Sequence, residues 1–497
     1  MLTTPKYRIL WTWDFATCWD DSFFGREKGC SGKNGRRVHF LQDYKRLIDF
    51  SSAHHINGVV IWGAVRAHHD GMQQLKELVQ YGRSKGVRVL PGVSAFSYGG
   101  ICYDPREKFN GYDDIPMTSH PYSLYTWLQE HPEYAALDPN GKPYAHGPYR
   151  VTACPSRKEN IEWFKEGLRW LYEEFDVDGI QVEVGDYSVC HCPICTERRK
   201  QAITSTMGLD GFAVADMAEC YNAAIEVSKQ AKPDAWVICE TYSNIADIPL
   251  PGNIPNKIMP QANRELLQGL TKGGILQWSV DRSIGGYKVA DWSEKVYTPS
   301  ADNILRIHAG SQWSMNGPAD WGVNLVWEMV NRARTQGING VSIFGEESPF
   351  SPPNEANYLA FEEACGFGNA NPNCSEALFY SQTLDPLYGG DGLAVRWREL
   401  YLKGSMLRLG SLNAEAVSVV NIRQHVNSNQ PFELLTDDPD IRTKALTYSA
   451  AEKIKEIESY YAEARAISSR LSGDACGRWS WLENKLWNMR YIIGTQK

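Results

Sequence analysis

Acidic residues stand at the ends of apolar runs through the first two thirds of the chain. Asp14 closes one such run, Glu183 and Asp186 another, and Glu240, Asp281 and Glu346 with Glu347 three more. A carboxyl group at the end of an apolar run enters a partly buried environment, which raises its pKa and suits it to proton transfer near neutral pH. Interleaved with these acids are the indoles of Trp11, Trp13, Trp62, Trp278 and Trp313. Carboxyls among flat amphipathic rings serve the cleavage of glycosidic bonds. One carboxyl protonates the leaving oxygen, a second stabilises or attacks the anomeric carbon, and the rings stack on sugar faces. Glu183 is the leading general-acid candidate, Glu240 or Glu346 its partner, and Asp186 a residue that orients the acid or a sugar. Carboxyls about 5–5.5 Å apart would retain anomeric configuration and those roughly 6.5–9.5 Å apart would invert it. A substrate acetamide acting as the nucleophile is a further route. Trp13, Asp14, Trp62, Trp278, Asp281 and Trp313 are candidate substrate contacts, although any one Trp is more often a core residue than a platform.

Positioning these groups requires strands that all end at one rim. In Asp176–Asp186, Ile180, Val182 and Val184 alternate with Gln181, Glu183 and Gly185, the pattern of a strand with two unlike faces. In a parallel barrel the aliphatic set faces the helices, while Gln181 and Glu183 face the lumen near the C-terminal end, where barrel enzymes keep their chemistry. The bland alternative is a solvated or salt-bridged acid at a strand-to-loop junction. Seven further β-like runs are Tyr7–Asp14, Ile56–Gly63, Gly86–Val93, Ala235–Thr241, Gly274–Asp281, Asn303–Ala309 and Ile338–Glu346. Helical patterns at Leu41–His54, Met72–Lys85, Glu159–Glu174, Phe212–Lys232 and Gly322–Gln336 separate several of them. Strands and helices in alternation predict a (β/α)8 TIM barrel over residues 1–350. No Gly-x-Gly-x-x-Gly follows the first strand, which removes a dinucleotide-binding reading.

The excursion Ser94–Pro155, inserted after the third strand (94–155), is too long for a passive connection and predicts a lid or a substrate-binding insertion. Its Asp138-Pro139-Asn140-Gly141-Lys142 is a turn signal. His146, Tyr149 and Arg150 within it form a polar cluster suited to gripping hydroxyls or a carboxylate. From 351 to 497 the pattern is helical alone, with Asn354–Ala364, Leu393–Leu409 and Thr443–Leu471 as examples. Trp479, Trp481 and Trp487 are expected to anchor this helical C-terminal region on the barrel, and Pro349–Pro353 is the candidate linker.

A chain of 497 residues with 17 Trp and 25 Tyr can bury a large core, and its net charge of −8 with no long basic run argues against nucleic acid as a partner. No apolar run reaches the roughly 20 residues that span a bilayer, so no membrane partner is expected. The N-terminus lacks the apolar segment of a leader. The expected location is cytoplasmic as written, and periplasmic or secreted if a leader has been removed. The oligomeric state has no signature. Twelve cysteines are too dilute for a disulfide scaffold, yet Cys190, Cys192 and Cys195 cluster. With Cys154 or His191 as a fourth ligand they make a candidate structural zinc site, the alternatives being a buried thiol cluster or one local disulfide. Catalysis itself requires no cofactor on this reading. No Gly-x-Ser-x-Gly elbow supports serine hydrolysis, and His68, His69 and His146 carry no metal signature. Arg66, Arg150 and Arg282, near the expected strand ends, hint at an anionic sugar.

The run His131-Pro132-Glu133-Tyr134 through Asp138, Gly141 and Lys142, then Ala153-Cys154-Pro155-Ser156, Asp178-Gly179 and Cys190-x-Cys192-x-x-Cys195, resembles bacterial (β/α)8-barrel glycoside hydrolases of the β-N-acetylglucosaminidase/α-glucuronidase-like group. The resemblance covers mainly Glu130–Cys195. It implies a hydrolase of oligo- or polysaccharides, on an acidic or N-acetylated sugar, with catalytic acids after the fourth strand at Glu183 or Asp186. The adjacent Asp-Glu of hexosaminidases and the Asn-Glu of the large retaining clan are both missing, so no mechanism carries over. Two rivals remain: a polysaccharide lyase using Tyr149, His146 and Arg150 on a uronate, and a non-catalytic glycan-binding barrel that keeps the tryptophans.

Overall fold

The computed structural model describes residues 3–14, 17, 19, 37–66, 71–97, 99–103, 120–144, 151–183, 190–200, 214–240, 272–280, 301–307, 309–310, 321–367, 375–409 and 438–495. Eight parallel strands, each hydrogen-bonded to the next, close into a barrel in the order β1 to β8. They are β1 Tyr7–Trp13, β2 Gly58–Trp62, β3 Arg88–Val93, β4 Gly179–Val182, β5 Trp236–Glu240, β6 Ile275–Val280, β7 Asp302–Ile307 and β8 Gly340–Phe344. The expected (β/α)8 architecture and all eight strands are present, each a residue or more shorter than its apolar run. That trimming leaves Asp14, Glu183 and Glu346 just beyond strand ends and Glu240 as the last residue of β5.

Period-two alternation sorts the side chains. In β5, Val237 and Cys239 belong to one face, and Trp236, Ile238 and Glu240 to the other. Trp236 lies edge-on to Tyr7 at 4.8 Å and under the Arg88 guanidinium at 4.9 Å, so the lumen floor is aromatic. Gly92 has a steric reason: a Cβ there would lie 2.3 Å from the indole of Trp62, so only glycine lets that ring enter the lumen.

Helices α1 Arg37–Ala53, α2 Gly71–Ser84, α3 Leu124–Glu130, α4 Lys158–Phe175, α5 Pro193–Lys200 and α6 Val214–Ala231 follow in chain order. Helix α4 buries Ile161, Phe164, Leu168 and Leu171, the stripe its 3.6-residue period sets up. It ends at Asp176 in the left-handed region (φ 52°), and Asp176 and Asp178 take ion pairs from Arg83 and Lys232 at the entry to β4.

The described part of the excursion is built as the turn chemistry dictates. Asp138 Oδ1 accepts from the backbone N–H groups of Asn140 and Lys142, each at 2.8 Å, and Gly141 supplies φ 78°. Those donors, Lys142 first, hold the Asp138 carboxyl below its usual range. Single antiparallel bridges pair Ala135 with Ala153 and Leu137 with Pro143. Buried Asn160 on α4 ties this segment down: its amide donates to the carbonyls of Tyr134 and Cys154, both at 3.0 Å, and its oxygen accepts from Trp127 Nε1 at 2.7 Å. Asn160→Ala takes the acceptor from Trp127 Nε1 and one donor each from the Tyr134 and Cys154 carbonyls, which keep the N–H groups of Cys154 and Arg157, so a loss of about 1–2 kcal/mol is expected in a urea titration. A loss below about 0.5 kcal/mol would show that other groups satisfy them.

The chain divides into two compact units. Among the described residues the first holds everything through 280, then 301–307 and 332–347, and the second holds 309–310, 321–331 and the chain from 348 onward. The second is helical after Ser348, as the sequence pattern predicts. Pro352 and Pro353, read as linker, instead occupy the first turn of helix Pro352–Ala364, where a missing N–H costs nothing. The expected helix Thr443–Leu471 is two helices, Pro439–Thr447 and Ala450–Ser468. Tyr448 is extended, and Ser449 with Glu452 forms a reciprocal capping box that starts the second helix. Trp397 is the hub of this unit, packed by Trp321, Tyr388, Tyr401 and Trp481 at centroid distances of 5.3, 5.4, 5.3 and 5.8 Å. Trp479 is buried and donates to the Tyr388 carbonyl at 2.9 Å. Trp487 is 49% exposed and lies under the Arg490 guanidinium. No helix among the described residues is long and apolar enough to cross a membrane.

Candidate active site

The C-terminal ends of the strands gather four buried carboxylates within the first unit: Asp14, Glu183, Glu240 and Glu346 are 1, 3, 0 and 0% exposed. Their surroundings differ, and the differences assign them unlike capacities.

Glu240 meets groups from three other strands. Its Oε2 accepts from Gln277 Nε2 at 2.5 Å and Gln181 Nε2 at 3.2 Å, and Arg306 Nη1 stands 3.1 Å away. Arg306 comes from β7 and is sandwiched over Trp11, 4.7 Å from the ring, with Phe344 at 5.8 Å. Gln181 is oriented in turn by Trp62, whose Nε1 donates to its Oε1 at 3.1 Å. An arginine and two amide donors stabilise the charged carboxylate, so Glu240 is built to stay ionised. That company suits a carboxylate that acts as a nucleophile or a charge stabiliser.

Glu183 stands beside it. The ladder pairs Gln181 with Ile238 and Val182 with Cys239, and Glu183 and Glu240 are the residues that follow this last pair on the two neighbouring strands. Glu183 and Gln181 share the lumen face by alternation, and the Glu183 N–H continues toward β3 by donating to the Val93 carbonyl at 3.2 Å. Tyr221 senses both acids. Burial pushes its hydroxyl well above the usual range, with the charges of Cys239, Cys220, Glu183 and Glu240 adding to the effect, and the protonated hydroxyl donates to the Glu240 carbonyl. Two carboxyls side by side resist sharing two negative charges. Of the two, Glu240 is the one with cationic and amide partners on its carboxylate.

Glu346 follows β8 and accepts from the Trp13 N–H at 3.3 Å. Trp13, 5% exposed, packs on Trp62 at 5.4 Å and Tyr103 at 6.3 Å. Beneath this corner Tyr44 hydrogen-bonds Thr12 and Thr17 at 3.0 and 2.9 Å, and burial holds its hydroxyl protonated, with Asp14 and Glu346 contributing in the same sense. Asp14 is engaged by Arg66 through two bonds, Nε to Oδ2 at 2.6 Å and Nη2 to Oδ1 at 3.2 Å, with both side chains fully buried. Gly63, at φ 78°, admits that carboxylate, because a Cβ there would lie 2.3 Å from Asp14 Oδ1.

Two sequence expectations change here. Arg66, read as a hint of an anionic sugar, neutralises Asp14 instead, and Asp14 in turn holds Arg66 over the Tyr103 ring at 4.9 Å. Trp62, read as a stacking platform, is fully buried against Trp13 and above Gly92, so its indole forms the wall that orients Gln181. Gln277 and Arg306 were not singled out from the sequence. The signal available for them was their phase in β6 and β7, which shares the lumen face with the acids. Asp186, His146, Tyr149, Arg150, Asp281, Arg282, Trp313 and the side chain of Trp278 lie outside the described residues.

The cysteines form a second cluster, where the excursion meets the segment after β4. Cys190, Cys192 and Cys195 are joined by Cys154, with all four sulfurs within 4.8 Å of one another. They share a small core with Ala136, on which Leu137 and Tyr144 pack.

No family model matches the sequence, and no curated protein matches it. Solved structures share the barrel. A GH138 enzyme targeting pectin rhamnogalacturonan II aligns over 99% of this chain and 57% of its own, at 10% identity and a TM-score of 0.51. A noncanonic maltogenic α-amylase from Thermotoga neapolitana aligns over 74% of this chain and 78% of its own, at 12% identity and a TM-score of 0.40. A variant of the Thermobaculum terrenum O-GlcNAc hydrolase aligns over 99% and 83%, at 12% identity and a TM-score of 0.42. The similarity to the first of these is one of fold, and this chain spans 57% of that enzyme's length.

Proposed function

We propose that the chain is a glycoside hydrolase in which Glu183 is the general acid and Glu240 the anionic partner that attacks or stabilises the anomeric carbon. The observation that supports this reading is the unlike pair at the ends of β4 and β5, with Glu240 charged through Arg306, Gln181 and Gln277 and Glu183 its neighbour on the lumen face. The two acids follow adjacent strands, whose backbones run about 4.8 Å apart, so the proposal takes the shorter of the two carboxyl separations, the roughly 5–5.5 Å of retaining enzymes. Retention is therefore the expected outcome. Binding and orientation precede chemistry: the glycosidic oxygen meets the Glu183 proton, while positive charge developing on the sugar ring meets the Glu240 carboxylate. Glu183 then takes a proton from water as the intermediate is hydrolysed. Glu346 and Trp13 form the adjoining wall. The acidic or N-acetylated sugar, and the placement near β-N-acetylglucosaminidases and α-glucuronidases, rest on the motifs of Glu130–Cys195 and, for an acidic sugar, on Arg150 and Arg282 in the sequence.

The experiment is a glycan panel with the product anomer followed by NMR at early times. Hydrolysis with retention supports the reading. Inversion removes Glu240 from the covalent role and shifts the partner's part to Glu346. An unsaturated product absorbing in the ultraviolet would identify a lyase, and calorimetric binding without turnover a glycan-binding barrel.

A further inference from the structure

We infer that Cys154, Cys190, Cys192 and Cys195 are the four ligands of a single structural zinc ion, which staples the β3–β4 excursion to the segment that follows the catalytic end of β4. The geometry points to one tetrahedral ion. Cys154 Sγ lies 3.6 Å from Cys190 Sγ and 3.7 Å from both Cys192 Sγ and Cys195 Sγ. Four sulfurs around zinc at about 2.3 Å are separated by about 3.8 Å along each edge of the tetrahedron. A disulfide needs sulfurs about 2.05 Å apart, and none of these pairs approaches that.

The polar groups aimed at the sulfurs make a second, independent argument. Cys190 Sγ accepts the backbone N–H groups of Leu137 at 3.3 Å and Cys192 at 3.4 Å, and Cys192 Sγ accepts that of Cys195 at 3.4 Å. Ser156 Oγ is 2.9 Å from Cys195 Sγ, and Arg198 Nη2 is 3.8 Å from the same atom. Neutral thiols in an apolar core have little use for so many donors. Thiolates need them, because four thiolates on a dication leave a net charge of −2 that the amides and Arg198 offset. Hard cations prefer oxygen ligands, so an all-sulfur set selects zinc or another thiophilic ion.

Each ligand has a structural address. Cys192 and Cys195 bracket the start of α5, and Cys195 N–H folds back onto Cys192. Cys154 closes the excursion, its carbonyl held by Asn160. Cys190 follows Glu183 by seven positions, so the ion sets where the chain leaving β4 must return. On binding, four thiols release four protons to solvent and four zinc–sulfur bonds form, with no change of oxidation state.

The test uses the full chain and does not depend on its cleaving any sugar. Elemental analysis of protein purified without chelator is expected to give about one zinc per chain. After removal of the ion under reducing conditions, titration with cobalt(II) is expected to saturate at one equivalent, with the intense visible bands of tetrahedral thiolate coordination. Cys154→Ser is expected to weaken cobalt(II) binding by about tenfold or more and to shift those bands. Cys192→His, a ligand zinc accepts, is expected to keep one tetrahedral equivalent with an altered spectrum. A wild-type chain that purifies without metal and binds no cobalt(II) overturns the inference, as does stoichiometric iron. An unchanged spectrum in Cys154→Ser removes that residue from the ligand set. Glycosidase failure with one bound zinc leaves this inference standing, and an active glycosidase that purifies without metal and binds no cobalt(II) sinks this inference while the proposed function stands.

Discussion

Glu183→Gln is expected to lower kcat on a glycoside with an unactivated leaving group by about 10²–10⁴-fold, the range that general acid catalysis supplies. Glutamine keeps the shape and the hydrogen-bonding reach of the side chain and removes only the transferable proton, so KM should change little. Two further readouts separate lost acid catalysis from a damaged site. A glycoside whose leaving group is a stable phenolate needs no proton on its oxygen, and its first-step rate should fall far less than that of the natural substrate. The alkaline limb of the pH–rate profile, which reports loss of the acid's proton, should flatten. Equal losses on both substrates would mean that Glu183 positions the sugar. Unchanged turnover on the natural substrate would remove it from the mechanism.

Arg306→Leu is expected to destabilise the fold by about 3–5 kcal/mol, because it leaves the buried Glu240 carboxylate without its charge partner. The hydrogen bonds from Gln181 and Gln277 remain, yet neutral amides do not replace a cation 3.1 Å away. The double variant Arg306→Leu with Glu240→Leu removes both charges and should recover much of that loss, since two apolar side chains of similar volume need no pairing. Urea titrations of wild type, both single variants and the double variant give the coupling directly. A cost below about 1 kcal/mol for Arg306→Leu would show that the pair is solvated, as surface pairs are, and that Glu240 is not held as a fixed anion. Both single variants should also lose turnover, the first because the carboxylate is no longer fixed and the second because it is gone.

These two experiments probe opposite members of one pair. On the proposed mechanism Glu183 carries the proton and Glu240 does not, and Arg306, Gln181 and Gln277 are the company that would hold Glu240 charged. The zinc inference concerns the same stretch of chain: Glu183 follows β4, and the cysteine cluster gathers the chain from seven residues later. Stability of the cluster and competence of the pair can therefore be measured separately and compared.

Much of this protein is a local property of its chain. Alternation in Ile180–Val184, and in the seven runs like it, settles which residues can face a lumen, because a strand turns its side chains by half a revolution at each step and needs no distant partner to do so. The barrel, the rim position of Glu183, Glu240 and Glu346, the Asp138–Gly141 turn and the crowding of Cys190, Cys192 and Cys195 all follow from such short-range rules. What those rules could not supply is company across the sheet. Arg66 carries the same charge whether it meets a sugar or Asp14, and only the approach of β1 to the segment after β2 decided for Asp14. Arg306, Gln277 and Gln181 lie on three different strands, and closure of the barrel alone brings them to one oxygen of Glu240. Cys154 joins the other cysteines from the far end of the excursion in the same way. Side-chain phase is set by the bond angles of a residue and its neighbours, whereas the charge state of a buried acid is set by whatever the whole fold places within a few ångströms of it. Chain order therefore determined where the carboxylates stand, and tertiary structure determined which cations and amides each of them meets.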